Sequence, residues 1–453
     1  MAWGIIVLLV FGMAVLQAMP EKVEKGDPED PTGLVMVQLQ AEYLLGVAAL
    51  LGSEREIAAQ ASMLDAGTIG QRQRYMAFMI ALGDPELAQQ SALRMQVDLG
   101  EQGLELDESQ TGVQEDLDFL AEGVELPSDR GSLENELGWF GALVEANAVQ
   151  RAEMEKAARR KVLAVGSIVL FIGFAGIVGF VGLLILLVRT LGGSMRSGLT
   201  EVKPRHGIYA EVFTVWLVLF VVVMSIAAIL GSKIAGDSAA IAMSFSLVAF
   251  FASLTALFWA RIRGISWSEI RSDIGWTSGK GIVQETLWGI AGYAMMLPIL
   301  VVGVMLVLLL VAIQAFVSNA AGSDLFAGTS GGAHPIVLDI ANGGWQVRVL
   351  LVVLAAVAAP IVEETMFRGV LYRQLRTSSN KLGIVLSIIC SMLLTSFLFA
   401  AIHPQGWIAI PALMAIAIGM NFMREWRGTI LPSIIVHGVS NGLVTSMMII
   451  FLS

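Results

Sequence analysis

From Val162 to the C-terminus the chain is a succession of apolar stretches, each close to the 20 or so residues an α-helix needs to cross a hydrocarbon core. That pattern leaves few folds open. Backbone polar groups in lipid must be satisfied internally, and in segments of this length only helices achieve it. Spans are expected near residues 162–188, 207–231, 239–260, 282–317, 346–372, 382–402, 406–423 and 430–452, and an apolar run at residues 3–19 adds another. Composition agrees: 15% of residues are charged, against about 25% in soluble domains. The expected fold class is therefore all-α, a polytopic membrane helical bundle of about nine transmembrane helices with an N-terminal soluble helical domain.

The soluble domain is betrayed by charge. Residues 20–160 hold 27 Asp and Glu against 11 Lys and Arg, a net of −16, while the whole chain carries −10 and the remainder therefore +6. Three regions follow: an N-terminal transmembrane anchor (1–19), an acidic helical domain (20–160) and a membrane domain (161–453). The first run lacks a basic leader and a small-residue cleavage site, which favours an uncleaved anchor over a signal peptide. Within 20–160, periodicity predicts helices over Gln38–Leu51, Glu54–Leu64, Gln71–Leu82 and Pro85–Leu99. An acidic stretch broken by Gly and Pro, Glu101–Asp129, comes next, and then one long amphipathic helix, Leu133–Lys161, entering the membrane.

Basic residues alternate between loops. Arg189, Arg196, Lys203 and Arg205 fill one; Arg261, Arg263, Arg271 and Lys280 another; Arg373, Arg376 and Lys381 a third; Arg424 and Arg427 a fourth. The loops between them are poor in Lys and Arg. Retention of positive charge in the cytoplasm then places residues 20–160 and the C-terminus outside, in a membrane expected to be a bacterial inner membrane. The single cysteine, Cys390, excludes a disulfide framework and a Cys-based metal site. No nucleic-acid partner is expected; the partners are the bilayer and a membrane-anchored substrate.

Against this apolar background, ionisable groups inside the last spans stand out, because each costs at least about 2.5–3.5 kcal/mol to insert. Glu363 and Glu364 lie in AAPIVEETMFRG, His403 ends FLFAAIH, and His437 and Asn441 lie in HGVSN. Glu364 and Arg368 are four apart and can pair, whereas Glu363 points about 100° away and stays free to activate water. His437 and Asn441, one turn apart, can donate to an oxyanion. Alternatively Glu363, His403 and His437 can hold a divalent metal such as zinc, since two His and a Glu form an established catalytic set. Taken singly, each group has a plainer reading: a packing ion pair for Glu364 and Arg368, interhelical glue for His437 and Asn441, an interfacial imidazole for His403. One distance objects. From a turn near Ser379, Glu363 lies about 24 Å and His403 about 36 Å along their helices at about 1.5 Å per residue, so His403 is expected to sit too high unless its helix tilts or starts lower.

EETMFR (Glu363 to Arg368), FAAIH (Phe399 to His403) and HGVSN (His437 to Asn441) match, in order, the E-E-x-x-x-R, F-x-x-x-H and H-x-x-x-N/D motifs. On these residues the region 275–453, with DIGWTSGKG as a weaker upstream similarity, resembles the CPBP family of CAAX prenyl endopeptidases and bacteriocin-processing and immunity proteins. The resemblance implies an intramembrane endopeptidase. In it Glu363 activates water with help from His403, His437 and Asn441 stabilise the oxyanion, and Glu364, Arg368 and Phe399 support the site. The alternative is a non-catalytic binding or immunity protein, or a proton-coupled transporter. The family core does not require residues 20–160, and these are expected to recruit or gate substrate.

Overall fold

The computed structural model describes residues 2–18, 31–53, 57–58, 60–65, 68–124, 126, 131–193, 197–199, 204–236, 238–321 and 336–452. Arg196 and Lys203, two of the expected loop cations, lie outside the described residues. Every regular element among those described is helical. The chain divides into two compact units, one of Met1–Lys22 and Leu170–Ile449, the other of Val23–Val169 and Ile450–Ser453.

In chain order the helices are α1 (Ala2–Ala18), α2 (Pro31–Leu51), α3 (Ile69–Ala81), α4 (Pro85–Gln102), α5 (Glu108–Ala121), α6 (Leu133–Leu137), α7 (Trp139–Glu145) and α8 (Ala148–Leu191). Then come α9 (Ile208–Ile234), α10 (Ala239–Ile262, its middle tightened to a 3₁₀ turn), α11 (Trp267–Ile274), α12 (Ile282–Ala321) and α13 (Ile336–Asn342). The last four are α14 (Trp345–Ser378), α15 (Ile384–Ala401), α16 (Ile410–Arg427) and α17 (Leu431–Leu452).

Nine described helices are long and apolar enough to cross a membrane, which makes this an integral membrane protein. Eight coincide with the spans expected from residue 162 onward. The ninth is Gly33–Leu51, within the stretch expected to be soluble, and not the N-terminal run. That run forms a helix of 17 residues, about 26 Å long and shorter than a hydrocarbon core of about 30 Å. In α2, Ala41, Leu44, Leu45 and Ala48 are buried in its own unit.

In that smaller unit, sequence signals set the boundaries. Thr68 with Gln71 and Asp107 with Gln110 form capping boxes that start α3 and α5. The second explains why an acidic stretch read as irregular holds a helix, with Val113 and Leu117 turned into the core. The single helix expected over Leu133–Lys161 is broken instead. Gly138 adopts φ 59°, a left-handed value that ends α6, and the Asn147 side chain accepts from the amides of Val149 and Gln150 to start α8 afresh. Glu42, buried on α2, pairs with Lys161 at 2.8 Å, and Lys161 also donates to the Phe451 carbonyl.

The larger unit is a helical bundle in which α12 packs on α16, α9 on α10, and α15 on α16. Its core holds a ladder of rings. Phe213 and Trp216 of α9 pack on Phe367 of α14 at 5.3 and 5.7 Å, and Phe367 packs edge-on against Phe399 of α15 at 5.1 Å. Several cations expected in loops are buried here as internal partners. Arg373 pairs with Asp273 at 2.6 Å, Arg376 with Glu425 at 3.0 Å, and Arg427 with Glu285 at 2.8 Å. Arg424, fully buried, donates to the carbonyls of Arg368, Asp273 and Gly428. Glu285 is likewise fully buried. A charge that finds a geometric partner can leave water at little net cost, so position in a loop-like sequence did not keep these exposed.

Candidate active site

α14 carries the two glutamates between two widened turns. Pro360 has no N–H to give to the carbonyl of Ala356, and the helix opens into a π turn over Leu354–Ala358 just before it. A second π segment, Thr365–Leu371, begins where the Thr365 hydroxyl bonds back to the Ile361 carbonyl. The Ala356 carbonyl points at Gly438 of α17, where a Cβ would lie 2.6 Å from the oxygen. Only glycine permits that approach, and it brings the HGVSN helix against the opened turn. Asn441, one turn further, donates from Nδ2 to the Ala355 carbonyl at 3.0 Å.

Glu364 and Arg368 form the expected pair, at 2.8 Å and with both side chains completely buried. The same carboxylate oxygen, Oε1, accepts from His437 Nδ1 at 2.8 Å. Arg368 also donates to the Ala417 carbonyl of α16, and its guanidinium lies 4.5 Å from the centre of the Phe399 ring. Phe399 stands at the junction, its ring 4.2 Å from His403 and 5.7 Å from His437.

His403 is not too high. α15 begins only at Ile384, after a 3₁₀ turn and Gly383 that add no helical rise, and its 18 residues climb about 27 Å, close to the 24 Å of Glu363. His403 follows in the turn beyond the helix and folds back, its Nδ1–H donating to the Phe399 carbonyl at 2.6 Å. With Nδ1 committed to an acceptor in both imidazoles, each neutral ring keeps its lone pair on Nε2. Both lone pairs face one atom. Glu363 Oε2 lies 3.7 Å from His403 Nε2 and 3.9 Å from His437 Nε2, and it is a buried oxygen with no hydrogen-bond partner. The groups are shielded but reachable, the side chains of Glu363 and His403 keeping 17% and 19% of their exposure.

Those separations are too long for direct hydrogen bonds, yet one water with bonds of about 2.8 Å can span them. A tetrahedral zinc with bonds of about 2.0–2.1 Å would hold its ligand atoms roughly 3.3 Å apart, so the three atoms would have to close by about half an ångström. Among the described residues no group of three or more His, Cys, Asp or Glu is close enough together to hold a metal ion as it stands. Glu363, His403 and His437 offer one carboxylate and two imidazole nitrogens, a donor set of the type that zinc takes, at separations longer than zinc allows.

Two other residues of this region lie outside the three motifs. Trp276, which precedes α12, donates its indole N–H to Thr365 at 2.9 Å and so braces the residue after Glu364. Asn421 of α16, fully buried, reaches Ser396 of α15 at 3.0 Å. Trp276 falls in the weaker DIGWTSGKG similarity and Asn421 within the expected span 406–423; neither has a spacing that ties it to the three motifs.

Fold and site together define a class: an integral membrane helical bundle with a polar Glu, His and Asn centre held among its C-terminal helices. Residues 345–443 match the family described as type II CAAX prenyl endopeptidase Rce1-like, and the match takes in all three motif segments. No curated protein and no solved structure matches the chain.

Proposed function

We propose that this protein is an intramembrane endopeptidase that cleaves a membrane-anchored protein or hydrophobic peptide with water activated by Glu363. The observation that carries the reading is the convergence of the Glu363 Oε2 and the two Nε2 lone pairs on one small space. A water there gives one proton to Glu363 and the other, as a hydrogen bond, to His403. Its oxygen attacks the peptide carbonyl carbon; the C–N bond then breaks, and the proton held by Glu363 passes to the leaving amine. Asn441 spends one of its two Nδ2–H bonds on Ala355, and the second serves the oxyanion. His437, held against the Glu364 carboxylate, serves the oxyanion through Nε2 when it is protonated.

Glu363, His403 and His437 would hold a divalent ion such as zinc, which when bound supplies a Lewis acid and a water of lowered pKa. The orientation belongs to the same proposal, with the ends of the spans that carry Arg261, Arg263 and Lys381 on the cytoplasmic side. The test is a comparison of membrane-protein termini between cells expressing the wild type and Glu363→Gln at equal level. New termini that vanish in the variant support the reading; identical termini from two folded proteins would refute it.

A further inference from the structure

α11 is a short helix between the ends of two spans, α10 and α12, and it leaves a cavity of about 350 Å³ beside it. The volume is at the lower end for small-molecule sites, which run from about 300 to 1,000 Å³. Leu257, Ile270 and Ile274 line it and are buried, Trp267 and Trp276 line it and are 40% and 42% exposed, and Arg271 completes the wall. None of Glu363, His403 or His437 takes part. This cavity is distinct from the candidate active site, although Trp276 touches Thr365.

The charge around it is one-sided. The two acids of α11 are engaged elsewhere, Glu269 by Arg205 at 3.2 Å and Asp273 by Arg205 and Arg373 at 2.8 and 2.6 Å. Among the described residues Arg271 has no such partner, and it is exposed. An unpaired guanidinium between two half-exposed indoles, over an apolar hollow at the end of membrane spans, is a combination suited to one kind of molecule. The hollow accepts hydrocarbon, the indoles suit the headgroup region, and the guanidinium matches a phosphate in bidentate fashion.

We propose that this cavity is a binding site for an anionic phospholipid, its phosphate on Arg271 and the upper part of one acyl chain against Leu257, Ile270 and Ile274. The inference needs only that the chain is embedded in a membrane and stands whether or not Glu363 cleaves peptides. In the detergent-purified full chain, phosphatidylglycerol and phosphatidylcholine of identical acyl chains are supplied in equal amounts, and retained lipid is read by native mass spectrometry. Wild type is expected to keep phosphatidylglycerol in preference by about tenfold, because both lipids present the same phosphate but the choline cation of phosphatidylcholine is repelled by Arg271. Arg271→Ala and Arg271→Glu should erase the preference and Arg271→Lys keep part of it; the side chain is exposed, so unchanged thermal unfolding checks that the fold survives. Equal retention of the two lipids by wild type, or an undiminished preference in Arg271→Ala, overturns the proposal. Soluble glycerol phosphate at millimolar concentration separates the sources of phosphate: failure to displace the lipid supports a lipid site, and displacement shows a site for free phosphate esters and overturns it.

Discussion

His437 donates through Nδ1 to Glu364 at 2.8 Å, and that bond decides which way its other nitrogen faces. Nε2 is turned toward Glu363, 3.9 Å away. Two consecutive glutamates thus act on one imidazole from opposite edges: Glu364 fixes the ring, and Glu363 shares the space in front of it. Glu364 is itself fixed by Arg368, so the orientation of His437 is traceable to an ion pair one helical turn along α14.

Glu363→Gln should remove the base while keeping the size of the side chain. Cleavage is expected to fall by about 10²–10⁴, the usual worth of a positioned proton acceptor, with little change in thermal stability. Quantitative terminus profiling beside a melting curve checks both halves at once. A melting temperature that drops as far as the activity would assign Glu363 to structure.

Arg368→Ala should be costly for a different reason, because it strands the buried Glu364 carboxylate. A loss of about 3–5 kcal/mol of stability is expected, the penalty for breaking one side of a buried pair. Replacing both partners, Glu364→Gln with Arg368→Met, should cost less than Arg368→Ala alone. Denaturation of the purified protein in detergent gives the comparison, and a double variant weaker than the single one would contradict it.

Asn441→Leu removes the donor to Ala355 and the second N–H assigned to the oxyanion. The lost hydrogen bond leaves a half-buried carbonyl unsatisfied, at about 1 kcal/mol, and turnover is expected to fall by about 10²–10³. The measurement is the rate on whichever substrate terminus profiling identifies, with KM little altered. A changed KM at unchanged kcat would make Asn441 a substrate contact.

If Glu363, His403 and His437 close on zinc, the metal added in slight excess and followed by dialysis should leave one equivalent per chain, measured by elemental analysis. His403→Ala and His437→Ala should each abolish retention, since two ligands hold zinc far less firmly than three. Wild type emerging free of metal, and fully active in a chelator, would leave the chemistry to the carboxylate and the imidazoles.

Much of this arrangement was legible in the sequence. The span lengths set the architecture, and the four-residue spacing of Glu364 and Arg368 announced their pair while freeing Glu363. What escaped were departures from uniform helical rise. A ruler of 1.5 Å per residue put His403 above Glu363 because it could not know that α15 starts late or that His403 folds back onto the Phe399 carbonyl. The buried state of Arg424 and Arg427 escaped too, because their partners Asp273 and Glu285 are far away in the chain and belong to other helices. Gly33–Leu51 escaped because the acidic residues around it placed the whole stretch in a soluble domain, although its own hydropathy equals that of the last span.

The two π turns of α14 also say something about how easily such a centre is lost or remade. Each residue of helix turns the chain by about 100°, and a π turn is an α turn with one residue too many. Deleting a single residue within Leu354–Ala358 would restore regular winding and close the opened turn whose Ala355 and Ala356 carbonyls meet Asn441 and Gly438. The glutamates would keep their facing, but the HGVSN helix would lose the surface it sits on. The smallest possible length change, invisible to hydropathy and harmless to the span as a span, would then be enough to unseat His437 and Asn441.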